Sequence, residues 1–317
     1  ELLERRHLRP VAIARNEVRN TGRFGIEIKN SNGVTTGAPQ TWQFDGQGGA
    51  VALTQGTDFI AVSGVQEPLA AIENAELVFV GYGIVAPEYD WNDFKDVDVR
   101  GKVLVMLNND PDWDPELFAG EQRLYYGRWV YKYESAAAHG AAGAIIVHTT
   151  PSAGYGWNVV QTSWSGPQFE LPAEDEARTQ VRGWVTEDAA RRLLGSEHDF
   201  DALVEQAKSR DFRPVPLGVT TSLELTNTLS RTPSANVLGV MRGSDPALAA
   251  QHVIYTAHYD HLGIGDPDAE GDTIYNGAMD NASGVGMLLA IGRAFAALPD
   301  KPRRSIMLLF VAAEEQG

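Results

Sequence analysis

The sequence predicts an α/β protein whose sheet is covered by helices on both faces, and three observations predict it. Beyond Arg213-Pro214-Val215-Pro216, apolar strands at 235–241, 253–257 and 306–313 alternate with a helix from about Ser283 to Leu298. Strands this uniformly apolar belong in a sheet with no solvent face. On the helix, Val285, Leu288, Leu289, Gly292, Phe295 and Leu298 recur at the spacing of one buried face. A second regular block comes earlier: strands at 76–83, 101–107 and 144–147, with an Ala-rich helix from Tyr131 to His139 closed by Gly140.

The remaining elements follow in order. Residues 1–74 form an N-terminal segment whose first forty residues show no clear element. Arg5, Arg6, Arg9 and Arg15 there read as a solvated helix face or a basic arm. Short apolar patches at 51–53 and 59–62, set between glycines, predict small strands. Gly81 and Gly83 read as turn glycines, because G-x-G without a third glycine and a following helix is no dinucleotide fingerprint. Helices are expected over Thr186 to Leu194 and Phe200 to Ser209, and the prolines of 213–216 mark a boundary.

A length of 317 residues is enough for two domains with a sizeable core. The net charge of -16 excludes the basic footprint of a nucleic-acid binder. There are no cysteines, which removes disulfides, thiol nucleophiles and Cys-type zinc sites but leaves His and carboxylate sites open. No apolar run reaches the roughly 18 residues of a membrane span. The start at Glu1, without Met, reads as a processed or cut N-terminus.

Chemistry concentrates between Val253 and Gly317. His258 and Asp260 are two apart at the end of an apolar strand, so their side chains share a face. A metal-bound imidazole commonly gives its second N–H to a carboxylate, and Asp260 fits as that orienting partner of His258. Alone, the pair equally well closes a strand end. His261 reads as a packing or supporting residue rather than a ligand. Asp280 opens D-N-A-S-G where the helix begins. In isolation that is a helix cap, but beside the other clusters its two oxygens suit a bridge between two metal ions. Glu314 and Glu315 follow eight apolar residues, and adjacent like charges there repel unless a cation compensates them. Both serve one site only where the strand gives way to a turn. The acidic stretch 266–272 lacks the Glu that closes a calcium loop, with Gly277 in that place, and reads as a surface loop. No G-x-S-x-G elbow or Walker motif occurs.

A-H-Y-D-H-L-G at 257–263, A-M-D-N-A-S-G at 278–284 and A-E-E-Q-G at 313–317 resemble the aminopeptidase Y-type zinc metallopeptidases of clan MH. These include bacterial leucyl aminopeptidases and, more distantly, glutamate carboxypeptidase. The resemblance implies a three-layer α/β/α mixed-sheet domain from 195 to 317, incomplete at its C-terminal end, and a β-rich protease-associated domain over 75–194. It implies that His258 and Glu315 bind zinc, that Asp280 bridges to a second zinc, and that Glu314 is the general base, with Asp260 orienting His258. It also implies a cis peptide between Asp280 and Asn281. Two further ligands, a later Asp and a later His, are expected downstream of Gly317. The chain then resembles the front part of an enzyme. It is expected to hold about one zinc where the parent holds two, and to be inactive alone.

The function so implied is a zinc aminopeptidase that hydrolyses N-terminal residues from peptides through metal-bound hydroxide, in a secreted or periplasmic setting. A zinc carboxypeptidase or glutaminyl cyclase on the same scaffold is an alternative, as is a non-catalytic ectodomain like that of the transferrin receptor. Four charged groups kept together at His258, Asp280, Glu314 and Glu315 speak against the last, since such a cluster is costly.

Overall fold

The computed structural model describes residues 32–95, 97–172, 176–195, 197–265 and 267–316, with 8–9, 11–14, 17–20, 26–31, Thr232 and Gln316 described by backbone alone. Arg5, Arg6, Arg15 and the side chain of Arg9 fall outside the described residues, as do Asp266 and Gly317. The chain divides into two compact units. The larger comprises 33–168 and 173–230, and the smaller 1–32, 169–172 and 231–317.

In the larger unit, β1 (Thr41–Gly46) and β2 (Gly49–Thr54) form a hairpin. They are followed by β3 (Phe59–Ser63), β4 (Leu69–Phe79) and β5 (Val103–Leu107). Helix α1 (Trp129–Ala138), β6 (Gly143–His148), β7 (Val181–Thr186), α2 (Glu187–Leu194) and α3 (Phe200–Ala207) complete the series. Strands β4, β5, β6 and β7 run parallel in that order, and β3 closes the row antiparallel to β7. Every residue of β5 and β6 is buried, which accounts for their unbroken apolar sequences. Thr186 is not the first helical residue but the cap of α2, accepting the N–H of Ala189 at 3.2 Å. Gly81 and Gly83 are turn glycines as expected, with φ of 58° and 62°.

The proline-bearing segment 213–216 lies at the start of a strand rather than between the two units. Strand β8 (Val215–Met241) begins within it. Its register against β4 shifts between Pro216 and Thr220, and Gly218 there has φ of 66°. A proline, with no N–H to give the ladder, is tolerated at such a bulge. The division between the units instead falls within β8, between Ser230 and Arg231.

In the smaller unit, β9 (His252–His258), α4 (Ser283–Ala297) and β10 (Ser305–Val311) form a β-α-β crossover. β9 pairs parallel with β10 along its whole length, from His252 opposite Ser305 to His258 opposite Val311. The other side of β10 pairs antiparallel with 237–241 of β8. Ile306, Met307 and Leu308 are buried, and Met241, Ile306 and Leu308 form a cluster against which Tyr255, Ile291 and Phe295 pack. The inward stripe of α4 is Val285, Leu288, Ile291, Gly292 and Phe295. Leu289 and Leu298, expected in it, are exposed. The helix approaches β10 closely at Gly292, where a Cβ would lie 2.6 Å from Leu308 Cδ1, and Leu289 is rotated off that line. The parallel pairing brings the ends of β9 and β10 side by side, which positions the cluster described next.

Candidate metal centre

Three chain reversals deliver the clustered residues. His258 is the last residue of β9, and the following Tyr259 N–H still donates to Val311 O at 3.0 Å, so the two strand ends stay registered. The β10 strand stops at Val311. Asn236 Oδ1 holds the N–H of Ala312 at 3.0 Å, Ala313 takes a left-handed φ of 61°, and Glu314–Gln316 form one short helical turn. This reversal brings both carboxylates of the Glu314-Glu315 pair toward one site, which a continued strand would not. Asp280 lies on the turn before α4, where the Asp280–Asn281 peptide is cis, as the resemblance implied. Asn281 Oδ1 accepts the Gly284 N–H at 3.0 Å, and the Asp280 carboxylate is directed at His258 instead.

One ligand atom each from His258, Asp280 and Glu315 lies within 4.8 Å of the others. His258 Nε2 stands 2.9 Å from Asp280 Oδ1 and 3.6 Å from Glu314 Oε2. The imidazole is 8 % exposed, whereas the Asp280 and Glu314 side chains are 69 % and 55 % exposed, so the acids face outward over a buried base. On the far side of the ring, Nδ1 lies 3.1 Å from the main-chain carbonyl of Asp260. A carbonyl only accepts, so Nδ1 carries a proton, and Nε2 is the ring nitrogen directed at the acids. Burial pulls the His258 pKa down. The Asp260 carbonyl and the charges of Glu314, Asp280 and Asp260 outweigh that, leaving it above its ordinary value.

The Asp260 carboxylate serves elsewhere than expected. Its Oδ1 is 3.8 Å from His258 Nδ1, and its Oδ2 accepts the main-chain N–H of Glu315 at 3.2 Å. His261, read in the sequence as a supporting residue, donates from Nδ1 to Glu315 Oε1 at 2.7 Å. The signal for that contact was present in H-Y-D-H, but nothing in the spacing shows which carboxylate the second histidine meets.

The cluster suits a divalent cation by its own chemistry. It offers one imidazole nitrogen, Nε2 of His258, and three carboxylates. Among the described residues their only ion-pair partners are His258 and His261. Carboxylates so gathered are relieved by a positive charge, and the donor set of one nitrogen with oxygens is one that zinc accepts.

Among the described residues, no helix is long and apolar enough to cross a membrane. No curated protein matches the chain. Solved structures similar to it include an aminopeptidase from Aneurinibacillus sp. strain AM-1, at 19 % identity and a TM-score of 0.39, covering 93 % of this chain and 54 % of that one. Another is a Peptidase M28 precursor from Shewanella amazonensis SB2B, at 18 % identity and a TM-score of 0.36, covering 93 % of this chain and 56 % of that one. The chain thus spans about half the length of each of these two proteins. Residues 236–317, which hold every residue of the cluster, match the model of Peptidase family M28.

Proposed function

We propose that the chain is part of a zinc-dependent aminopeptidase, with His258, Asp280 and Glu315 as the metal-holding residues and Glu314 as the general base. The observation that carries this reading is the convergence of three ligand atoms within 4.8 Å, with Glu314 beside them. A zinc ion there supplies Lewis-acid polarisation of the scissile carbonyl and makes water a competent nucleophile near neutral pH. The residues of the chain do the rest. Glu314, open to solvent and 3.6 Å from His258 Nε2, takes the proton of the attacking water and passes it to the amine as the C–N bond breaks. His258 keeps its Nε2 lone pair toward the site because the Asp260 carbonyl holds the Nδ1 proton. Asp280, more than half exposed, has a second oxygen free to reach another ion.

The test is hydrolysis of aminoacyl and N-terminally blocked peptides by the whole protein, with and without chelator. Glu314→Gln is measured alongside for zinc content. Chelator-sensitive removal of the first residue is expected, and Glu314→Gln should keep its zinc while losing about 10²–10⁴-fold in rate. Hydrolysis indifferent to chelator would sink the metal reading. Cleavage of blocked peptides from their C-terminal end would move the assignment to a carboxypeptidase.

A further inference from the structure

We infer that His261 is a positioning residue that fixes the Glu315 carboxylate at the metal centre; the inference rests on the zinc reading above. Three observations in the smaller unit carry it. First, His261 Nδ1 lies 2.7 Å from Glu315 Oε1, and the two side chains are only 24 % and 17 % exposed. A short hydrogen bond to a carboxylate, partly shielded from water, is among the stronger side-chain contacts. With Oε1 occupied, Oε2 is the oxygen left for a cation.

Second, the neighbouring Asp260 accepts the main-chain N–H of Glu315 through Oδ2 at 3.2 Å. Adjacent residues therefore take hold of Glu315 by its backbone and by its side chain. Glu315 sits on a single short turn at the end of β10, where a glutamate otherwise has several rotamers to sample.

Third, the main chain passes close against the base of the His261 side chain. Gly277, with φ of 62°, lies behind it, and a Cβ at that glycine would fall 2.8 Å from both Cβ and Cγ of His261. Gly277 begins the turn that delivers Asp280. His261 is thus wedged between the segment carrying one candidate ligand and the side chain of another. A residue with only a packing role is replaceable by an apolar side chain of like size, whereas one that holds Glu315 needs a donor where Nδ1 stands.

Asparagine and leucine have the same branched shape, and only asparagine offers an N–H near the place of Nδ1. Zinc affinity of the full chain, measured by competition with a chromogenic chelator, is compared for wild type, His261→Asn and His261→Leu, with thermal melts as the folding control. His261→Leu is expected to bind zinc about 10–100-fold more weakly, the usual cost of losing a group that orients a ligand, and His261→Asn to stay within about threefold of wild type. Should the leucine variant fail to fold, His261→Gln replaces it, since its amide sits one bond too far out, and it is expected to bind more weakly than His261→Asn. Equal affinity of wild type and His261→Leu, or equal losses in the variants compared, overturns the positioning role. A wild-type chain that binds no zinc overturns the metal reading and this inference together.

Discussion

The main-chain carbonyl of Asp260, at 3.1 Å, faces Nδ1 of His258, while Oδ1 of the same residue stands 3.8 Å from it and Oδ2 holds the backbone of Glu315 at 3.2 Å. One residue therefore sets the tautomer of His258 with its backbone and the place of Glu315 with its side chain. Asp260 Oδ1 has no hydrogen-bond partner among the described protein atoms, although it is buried.

From this arrangement, Asp260→Asn is expected to be milder than Asp260→Ala. Both keep the carbonyl that fixes His258, but only Asn keeps an oxygen for the Glu315 N–H. Asp260→Ala should weaken zinc binding about 10–100-fold and Asp260→Asn less. Zinc titration measures the affinities, and the nitrogen chemical shifts of His258 report its tautomer, which should stay unchanged in both. Equal losses in the two variants would show that the carboxylate charge, not its hydrogen bond, is what the site uses.

The reversal at Ala313 makes a second prediction. Ala313 takes φ of 61°, a conformation that glycine adopts freely and other residues adopt at a cost. A β-branched side chain fits it worse still. Ala313→Val is expected to cost about 1–3 kcal/mol in urea unfolding and to lower zinc affinity, because Glu314 and Glu315 would no longer turn together. A variant as stable as wild type, with unchanged zinc binding, would show that the turn is not what brings the pair round.

Much of the site was legible because its residues sit at element ends that the sequence marks. His258 closes an apolar strand, Asp280 precedes a helix start, and Glu314-Glu315 follow the most apolar run in the chain. The need for a turn under the glutamate pair was also legible from strand geometry. Its place was not, because alanine carries no preference for a left-handed φ. The partners within the cluster were hidden for a related reason. Spacing puts Asp260 on the face of His258, but whether a carbonyl or a carboxylate meets the ring depends on how the chain bends after β9 ends. In the fold, alternating strands and helices were legible as apolar runs, whereas Arg213–Pro216 misled, since a proline at a bulge looks the same as one between domains.

The larger unit holds a charge that no motif announced. Lys132 on α1 is fully buried and donates from Nζ to the Tyr82 carbonyl at 2.6 Å. Burial pulls its pKa down to about 7 against the opposing charges of Asp93 and Asp110. Burial pushes Asp93 up to about 7, against the N–H groups of Ile84 and Trp91 and the charge of Lys132. Lys132→Met would leave Asp93 without its cation and is expected to destabilise the unit by up to about 3–5 kcal/mol where Asp93 is ionised. Without the Lys132 charge, Asp93 takes a proton at a higher pH than in wild type, so the loss should be greatest at alkaline pH and shrink as pH falls. Urea unfolding across that range measures it, and a loss that does not vary with pH would show that Lys132 contributes packing alone.

His148, the last residue of β6, gives a second pH signature. It is buried, with Nε2 3.1 Å from the Tyr155 carbonyl and its ring beside Tyr155, Trp157 and Trp184. Burial lowers its pKa below the ordinary 6.5, and the Tyr155 carbonyl opposes that only in part. The unfolded chain therefore binds the His148 proton more readily than the folded one. The stability this residue contributes is complete above 6.5 and is lost as pH falls from there through the folded value. His148→Phe removes the titration and keeps an aromatic ring among aromatic neighbours. The variant should be less stable than wild type at alkaline pH, by about 1 kcal/mol for the lost hydrogen bond, and the gap should narrow or reverse in acid. Tryptophan fluorescence during urea unfolding reads the change locally, since Trp157 and Trp184 flank the ring. Parallel stability curves for the two proteins from about pH 5 to pH 8 would mean that His148 is not held neutral by its surroundings.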